Sequence, residues 1–204
     1  MRLADADGQA RHFDALYRQD VDPWRTRTRW YERRKRALTL AVLPAERYAR
    51  ACEPGCGAGE TTLALARRCD QVVASDASAA AVRQARRRLA GSPHVTIAQA
   101  RMPEDWPAGP FDLVVLSELG YYLPEDDLAR LADKCRHALI AGGALVACHW
   151  RHPEPDLRRS AHDVHALLHA RTGLHRAAHY EDADFLLDAW TLDDRSVARR
   201  EGLA

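Results

Sequence analysis

Glu53-Pro54-Gly55-Cys56-Gly57-Ala58-Gly59, followed by Asp76, is the stretch whose reading decides the fold. It is a glycine-rich turn between a short apolar run and a helical pattern. Glycines let a backbone turn tightly and approach a ligand, and an acid closing the next strand can accept hydrogen bonds from two ribose hydroxyls. The pattern therefore points to a nucleoside cofactor, and the spacing separates two candidates. A dinucleotide fingerprint, G-x-G-x-x-G, needs glycine at position 60, where this chain has Glu60. An acid two residues before the first glycine, Glu53, suits S-adenosylmethionine (SAM), which carries a cationic methionine end and no pyrophosphate. The predicted cofactor is SAM, with S-adenosylhomocysteine (SAH) as product.

The elements on either side alternate. Ala49–Glu53, Gln71–Ser75, Val95–Gln99, Phe111–Leu116, Ala144–Cys148, His175–Tyr180 and Phe185–Leu192 read as strands. Thr61–Arg68, Ser78–Ala90, Glu125–Leu139 (closed by Gly142-Gly143) and Asp156–Thr172 read as helices. Phe111–Leu116 is continuously apolar, as a central parallel strand must be. The order predicts an α/β fold: a doubly wound, Rossmann-like, mostly parallel seven-stranded sheet with an antiparallel strand near the C-terminus. Upstream, Phe13, Leu16 and Tyr17 share a helical face. Asp22-Pro23 reads as an N-cap with proline at N1, opening a helix from Trp24 to Leu43. We read 1–204 as one domain, with a helical N-terminal cap at 12–43 and a Rossmann-like core at 44–192.

Composition narrows the class. The chain has 204 residues, 47% hydrophobic and 29% charged, which excludes a disordered segment. A formal charge of +1 gives no general attraction to nucleic acid or membrane. Five cysteines, an odd number without a C-x-x-C pair, suggest free thiols in a reducing compartment. Met1 to Asp14 carries both charge signs and no apolar stretch, so no signal peptide is expected, and the predicted location is cytoplasmic. The basic run Arg25 to Arg36 is read as the solvated face of its helix. His162, His165 and His169 share a helical face, but no carboxylate or cysteine completes a metal site, so none is expected.

Ligands of such sheets bind past the carboxyl ends of the strands. Asp76 is expected to hold the ribose. Glu53 and the backbone of Gly55 and Gly57 are expected at the methionine end, with Ala77 and Ala100-Arg101-Met102 about the adenine and Ser117 beside the cofactor. Trp24, Arg25 and Tyr31 are read as closing the top. Glu118, His149, Tyr121 and Tyr122 follow the fourth and fifth strands. Glu118 and His149 are expected to orient and deprotonate an amine nucleophile, and the tyrosines to shape its pocket. Tyr17, Arg151 and His152 are candidate substrate contacts. His149 also has a plainer reading, as a hydrogen-bonded loop histidine.

Several of these segments together resemble the NodS-like (nodulation protein S) class I SAM-dependent methyltransferases. They are Phe13-Asp14-Ala15-Leu16-Tyr17, Asp22-Pro23-Trp24-Arg25, Trp30 to Lys35, Leu116 to Tyr122, and His149-Trp150-Arg151-His152-Pro153. The resemblance spans about residues 12–192. It implies methyl transfer from SAM to the free amine of an amino-sugar oligosaccharide or related small molecule. O- or C-methylation of another small molecule stays open, as does a SAM-binding module without turnover. A nucleic-acid methyltransferase would carry an Asn/Asp-Pro-Pro-aromatic tetrad where this chain reads Ser117-Glu118-Leu119-Gly120. Oligomeric state is not legible.

Overall fold

The computed structural model describes residues 6–204, with side chains from Gly8 onward. The reading of residues 1–5 as free of a signal peptide lies outside the described residues. The elements run α1 (Ala6–Gln19), α2 (Trp30–Ala41), β1 (Tyr48–Pro54), α3 (Glu60–Leu65), β2 (Cys69–Asp76), α4 (Ala79–Arg88), β3 (Val95–Gln99) and β4 (Phe111–Ser117). After a 3-10 turn at Gly120–Tyr122 come α5 (Glu125–Ala138), β5 (Leu139–Trp150), α6 (Ala161–Thr172), β6 (His175–Glu181), β7 (Phe185–Thr191) and α7 (Val197–Arg200).

The seven strands form one sheet in the order β3-β2-β1-β4-β5-β7-β6. The first five are parallel, and β7 runs antiparallel to both β5 and β6. Alternation along β4 explains its apolar run. Leu113 and Val115 enter a core shared with Leu65, Val82 and Ala85, while Val114 and Leu116 enter one shared with Leu128, Leu131 and Val164. The sheet is thus covered by α2–α4 on one face and by α5 and α6 on the other. Strand order reverses between β1 and β4, which opens a crevice at their carboxyl ends.

Local chemistry sets the element boundaries. Ser78 caps α4 by accepting from the Ala81 amide. Ser160 and Asp163 form a reciprocal capping box that opens α6, and Gly173 closes it.

Three sequence expectations need correction. Asp22 does not cap a helix. Its carboxylate accepts the Thr26 amide and hydroxyl (both 2.7 Å) and the Arg27 amide (3.1 Å). This coils residues 22–27 into a turn, in which Arg25 takes a left-handed φ of 59°; α2 starts only at Trp30. Gly142-Gly143 lies inside β5. Phe111 pairs with Leu139 and Leu113 with Ala144, so the extra residues bulge out, with Gly142 at φ 78°. The helix expected from Asp156 begins at Ala161 because the Ser160 cap holds its first turn.

Candidate active site

The crevice is a cavity of about 520 Å³, roofed by α1, by the turn before α2 and by α2 itself. Tyr17, Trp24, Tyr31, Glu53, Gly55, Gly57, Asp76, Ala77, Ala100, Arg101, Met102, Ser117, Glu118, Tyr121 and Tyr122 all line it. The residues singled out in the sequence thus meet on one surface from seven separate segments.

One end is built by the glycine loop. The Gly55 and Cys56 amides donate to the Ser75 carbonyl, at 2.7 and 2.9 Å, which folds the loop back onto β2. Gly57 has φ 54°, and a Cβ there would run into the Tyr17 hydroxyl, so only glycine fits. Asp76 accepts the Gly57 amide on one oxygen (2.9 Å) and the Ser78 amide on the other (2.8 Å). Burial lifts its carboxyl above the ordinary aspartate value, and these two amides oppose the lift. Each oxygen retains acceptor capacity for a hydroxyl.

Glu53 is 2% exposed, and the Thr62 hydroxyl donates to it at 2.6 Å. Burial pushes its carboxyl up from 4.5 to about 8. A buried carboxylate with so little compensation is costly and favours a cation beside it. The methionine end of SAM carries an ammonium, and Asp76 offers the ribose two acceptors. The residues present fit SAM.

Glu53 also sets a pH dependence. The folded protein holds a proton there that the unfolded chain releases above about pH 4.5. Ligand-free stability therefore falls as pH rises toward 8, by up to about 4 kcal/mol from this group. Calorimetry from pH 5 to 8 should show a steeper decline for the native protein than for Glu53→Gln. Equal slopes would sink this reading.

The other end is built around Glu118, which lines the cavity with partners the sequence did not announce. Its backbone is left-handed, φ 55°, an unfavourable conformation for a residue with a side chain. Its Oε1 accepts from Lys35 Nζ at 2.6 Å. Its Oε2 accepts from the Trp150 amide at 3.0 Å and from the Tyr121 hydroxyl. Lys35 also reaches Glu32 at 3.2 Å, and its ammonium lies 5.0 Å from the centre of the Tyr31 ring. Burial opposes the charge on Lys35, yet Glu118 and Glu32 outweigh it and lift the amine well above the ordinary lysine value. Lys35 is thus a buried cation and not part of a solvated face. A faint signal was present: Lys35 and Lys134 are the only lysines in a chain otherwise served by arginine.

The cover is tied down at points the sequence did not announce. Asp14 of α1 accepts from the Ser78 hydroxyl and the Ala80 amide, at 3.0 and 2.8 Å. Arg27 pairs with buried Glu60 at 2.9 Å, and Arg34 of α2 with Asp182 at 2.6 Å.

Four expected site residues lie elsewhere. His149 is fully buried, and both ring nitrogens are engaged inside the protein, by the Gly120 amide and by His165. Its plainer reading is the one the geometry supports. Arg25 turns outward and pairs with Asp20 at 2.9 Å. Arg151 is held by Glu181 at 2.7 Å and by the Asp182 carbonyl, and His152 by Asp184 at 3.0 Å. Both are drawn to the acidic link between β6 and β7 and away from the cavity.

Comparison with known proteins agrees with this geometry. A methyltransferase domain family matches residues 51–143, from β1 into β5. Nodulation protein S of Rhizobium tropici is 32% identical over 127 residues, which is 61% of this chain and 53% of that protein. The chain spans about half the length of the curated relatives it matches. A solved structure from Pseudomonas syringae, provisionally assigned as a methyltransferase, is 53% identical with a TM-score of 0.72, covering 79% of this chain and 99% of its own. The N-methyltransferase NodS of Bradyrhizobium japonicum WM9, crystallised with SAH, is 25% identical with a TM-score of 0.79, covering 89% and 96%. By cofactor loop, strand order and relatives alike, the chain belongs to the class I SAM-dependent methyltransferases, and NodS is among the members it is similar to.

Proposed function

We propose that this protein, acting as one domain, transfers the methyl group of SAM to the free amine of an amino sugar, its oligosaccharide or a related small molecule. The observation that carries the reading is Glu118, a carboxylate in the cavity wall fixed by Lys35, Tyr121 and the Trp150 amide. The glycine-loop end of the same cavity supplies the cofactor contacts. NodS, an N-methyltransferase, shares the fold at 25% identity. Asp76 holds the ribose and Glu53 the ammonium of the methionine end; Ala77, Ala100 and Met102 pack about the adenine.

SAM, when bound, supplies an already activated methyl group. The chain then has to align the acceptor and exclude water. Oε1 of Glu118 takes one donor where Oε2 takes two, so it keeps acceptor capacity for an amine N–H. Bonding there points the nitrogen lone pair, and the carboxylate balances the positive charge that grows on nitrogen. Glu118 is also the acceptor for the proton that leaves the methylated nitrogen. Tyr121 and Tyr122, with ring centres 4.7 Å apart, wall the pocket beside it. All five cysteines are buried free thiols, which accords with a cytoplasmic setting. No helix among the described residues is long and apolar enough to cross a membrane.

The test is transfer of labelled methyl from SAM to glucosamine oligomers bearing one free amine, with fully N-acetylated oligomers as control. Label on the free-amine oligomer alone is the expected result. Label on both, or located on oxygen or carbon by mass spectrometry, would overturn the amine assignment. Glu118→Gln should lower kcat by about 10²–10³-fold while SAH binding stays near native. Full turnover in that variant would remove Glu118 from the chemistry.

A further inference from the structure

A buried chain of polar groups starts beside Glu118 and leads away from the cavity, unused by the chemistry above. The Gly120 amide donates to His149 Nε2 at 3.0 Å. An amide nitrogen can only donate, so Nε2 carries no proton and the proton of neutral His149 sits on Nδ1. That nitrogen lies 2.9 Å from His165 Nε2, which must then accept. The proton of His165 is in turn placed on Nδ1, 2.6 Å from Asp188 Oδ2. A single backbone amide thereby dictates the tautomer of two imidazoles in series. His149, His165 and Asp188 are 0, 2 and 1% exposed. Burial holds both imidazoles below the ordinary histidine value, which keeps them neutral. Asp188 is further tied by His179 at 2.8 Å and Arg176 at 3.3 Å.

The chain ends on the segment that builds the acceptor side. Gly120 rests directly on it, since a Cβ there would come within 2.5 Å of Val164 and 3.2 Å of His149 Nε2. The Tyr121 ring stands edge-on to His149 with centres 5.1 Å apart, and its hydroxyl donates to Glu118. Three strands or helices (β5, α6 and β7) thus converge through side chains on one turn.

We propose that Asp188, His165 and His149 form a positioning relay, both imidazoles locked as Nδ1–H tautomers, that holds the Gly120–Tyr122 turn and through Tyr121 sets Glu118 at the acceptor end of the cavity. The relay's effect on turnover rests on the reading of Glu118 given above, whereas its tautomers and its hold on Tyr121 do not.

The experiment combines nitrogen and proton NMR of histidine-labelled protein with two variants of His165 and an assignment variant at Tyr121. In the native protein at neutral pH, His149 and His165 should both show a protonated Nδ1 and a bare Nε2. A protonated Nε2 on either ring overturns the relay. The exchange-protected Tyr121 hydroxyl proton, identified by its loss in Tyr121→Phe, should shift or broaden in His165→Phe. It should be largely restored in His165→Gln, whose amide oxygen can still accept from His149. SAH binding within about twofold of native would show that both variants are folded. On the acceptor that the native enzyme turns over, His165→Phe should lower kcat about tenfold with KM little changed, and His165→Gln should recover most of it. An unmoved Tyr121 signal in His165→Phe, or a thermal midpoint that drops while kcat holds, would reduce the chain to packing and defeat the proposal. If no amine acceptor is methylated at all, the two NMR readouts still decide the relay, separately from the reaction.

Discussion

Replacing Asp76 by alanine is expected to weaken SAH binding by roughly 10²–10³-fold. The carboxylate closes β2 at the cavity and already accepts the Gly57 and Ser78 amides. Those bonds aim both oxygens and leave lone pairs for two ribose hydroxyls. Hydrogen bonds to a charged group are worth about 1.5–3 kcal/mol each, and 1.4 kcal/mol is tenfold in affinity. Some of the loss would come from a loosened glycine loop, because the Gly57 amide is left without its acceptor. Asp76→Asn separates the two contributions. It keeps an acceptor for one amide but turns a donor toward the other and toward the ribose, so it should also bind poorly. Titration calorimetry with SAH measures both variants. Native affinity in Asp76→Ala would refute the ribose role.

Lys35→Met should produce the second large effect, on stability and turnover together. The ammonium lies between Glu118 and Glu32, at 2.6 and 3.2 Å, with its side chain 10% exposed. Methionine conserves the volume of the stem but leaves two carboxylates facing each other without a cation. Breaking a buried pair from one side costs about 3–5 kcal/mol. Glu118 opens onto the cavity, which places the cost here at the lower end. In a protein of this size that is a drop of about 6–12 °C in thermal midpoint. Combining Lys35→Met with Glu118→Gln should recover part of it, because one of the two stranded charges is gone. A lysine on a solvated face would change stability by no more than about 0.5 kcal/mol. A midpoint within a degree of native would return Lys35 to that description.

The fold was legible because its signals are local and redundant. The apolar run Phe111–Leu116, the capping serine at 78 and the turns between segments each argue for the same alternation, and the sheet has the predicted seven strands. Errors fell where such a signal met a competitor, local in one case and tertiary in the other. Asp22-Pro23 has the chemistry of a helix start, but the Asp22 carboxylate found the Thr26 and Arg27 amides first. Gly142-Gly143 has the chemistry of a helix end, yet pairing with β4 drew those residues into β5 as a bulge.

The glycine-loop end of the cavity could be located in the sequence for the same reason. Glycines at 55 and 57 suit a left-handed loop backbone, and the acids at 53 and 76 stand at fixed places relative to their own strands. These features depend on a few consecutive residues, so the chain alone determined the fold class, the cofactor and the position of Glu118. What surrounds Glu118 was decided only by the tertiary structure. Lys35 arrives from a helix 83 positions away in sequence, and the His149–His165–Asp188 chain joins two strands and a helix. Burial turns Lys35 from one of many surface cations into the partner of a carboxylate, and turns His149 from a candidate base into an inward-facing imidazole. Beyond the choice of lysine over arginine at position 35, neither change leaves a mark in the neighbouring sequence, because desolvation and long-range pairing are properties of the packed whole.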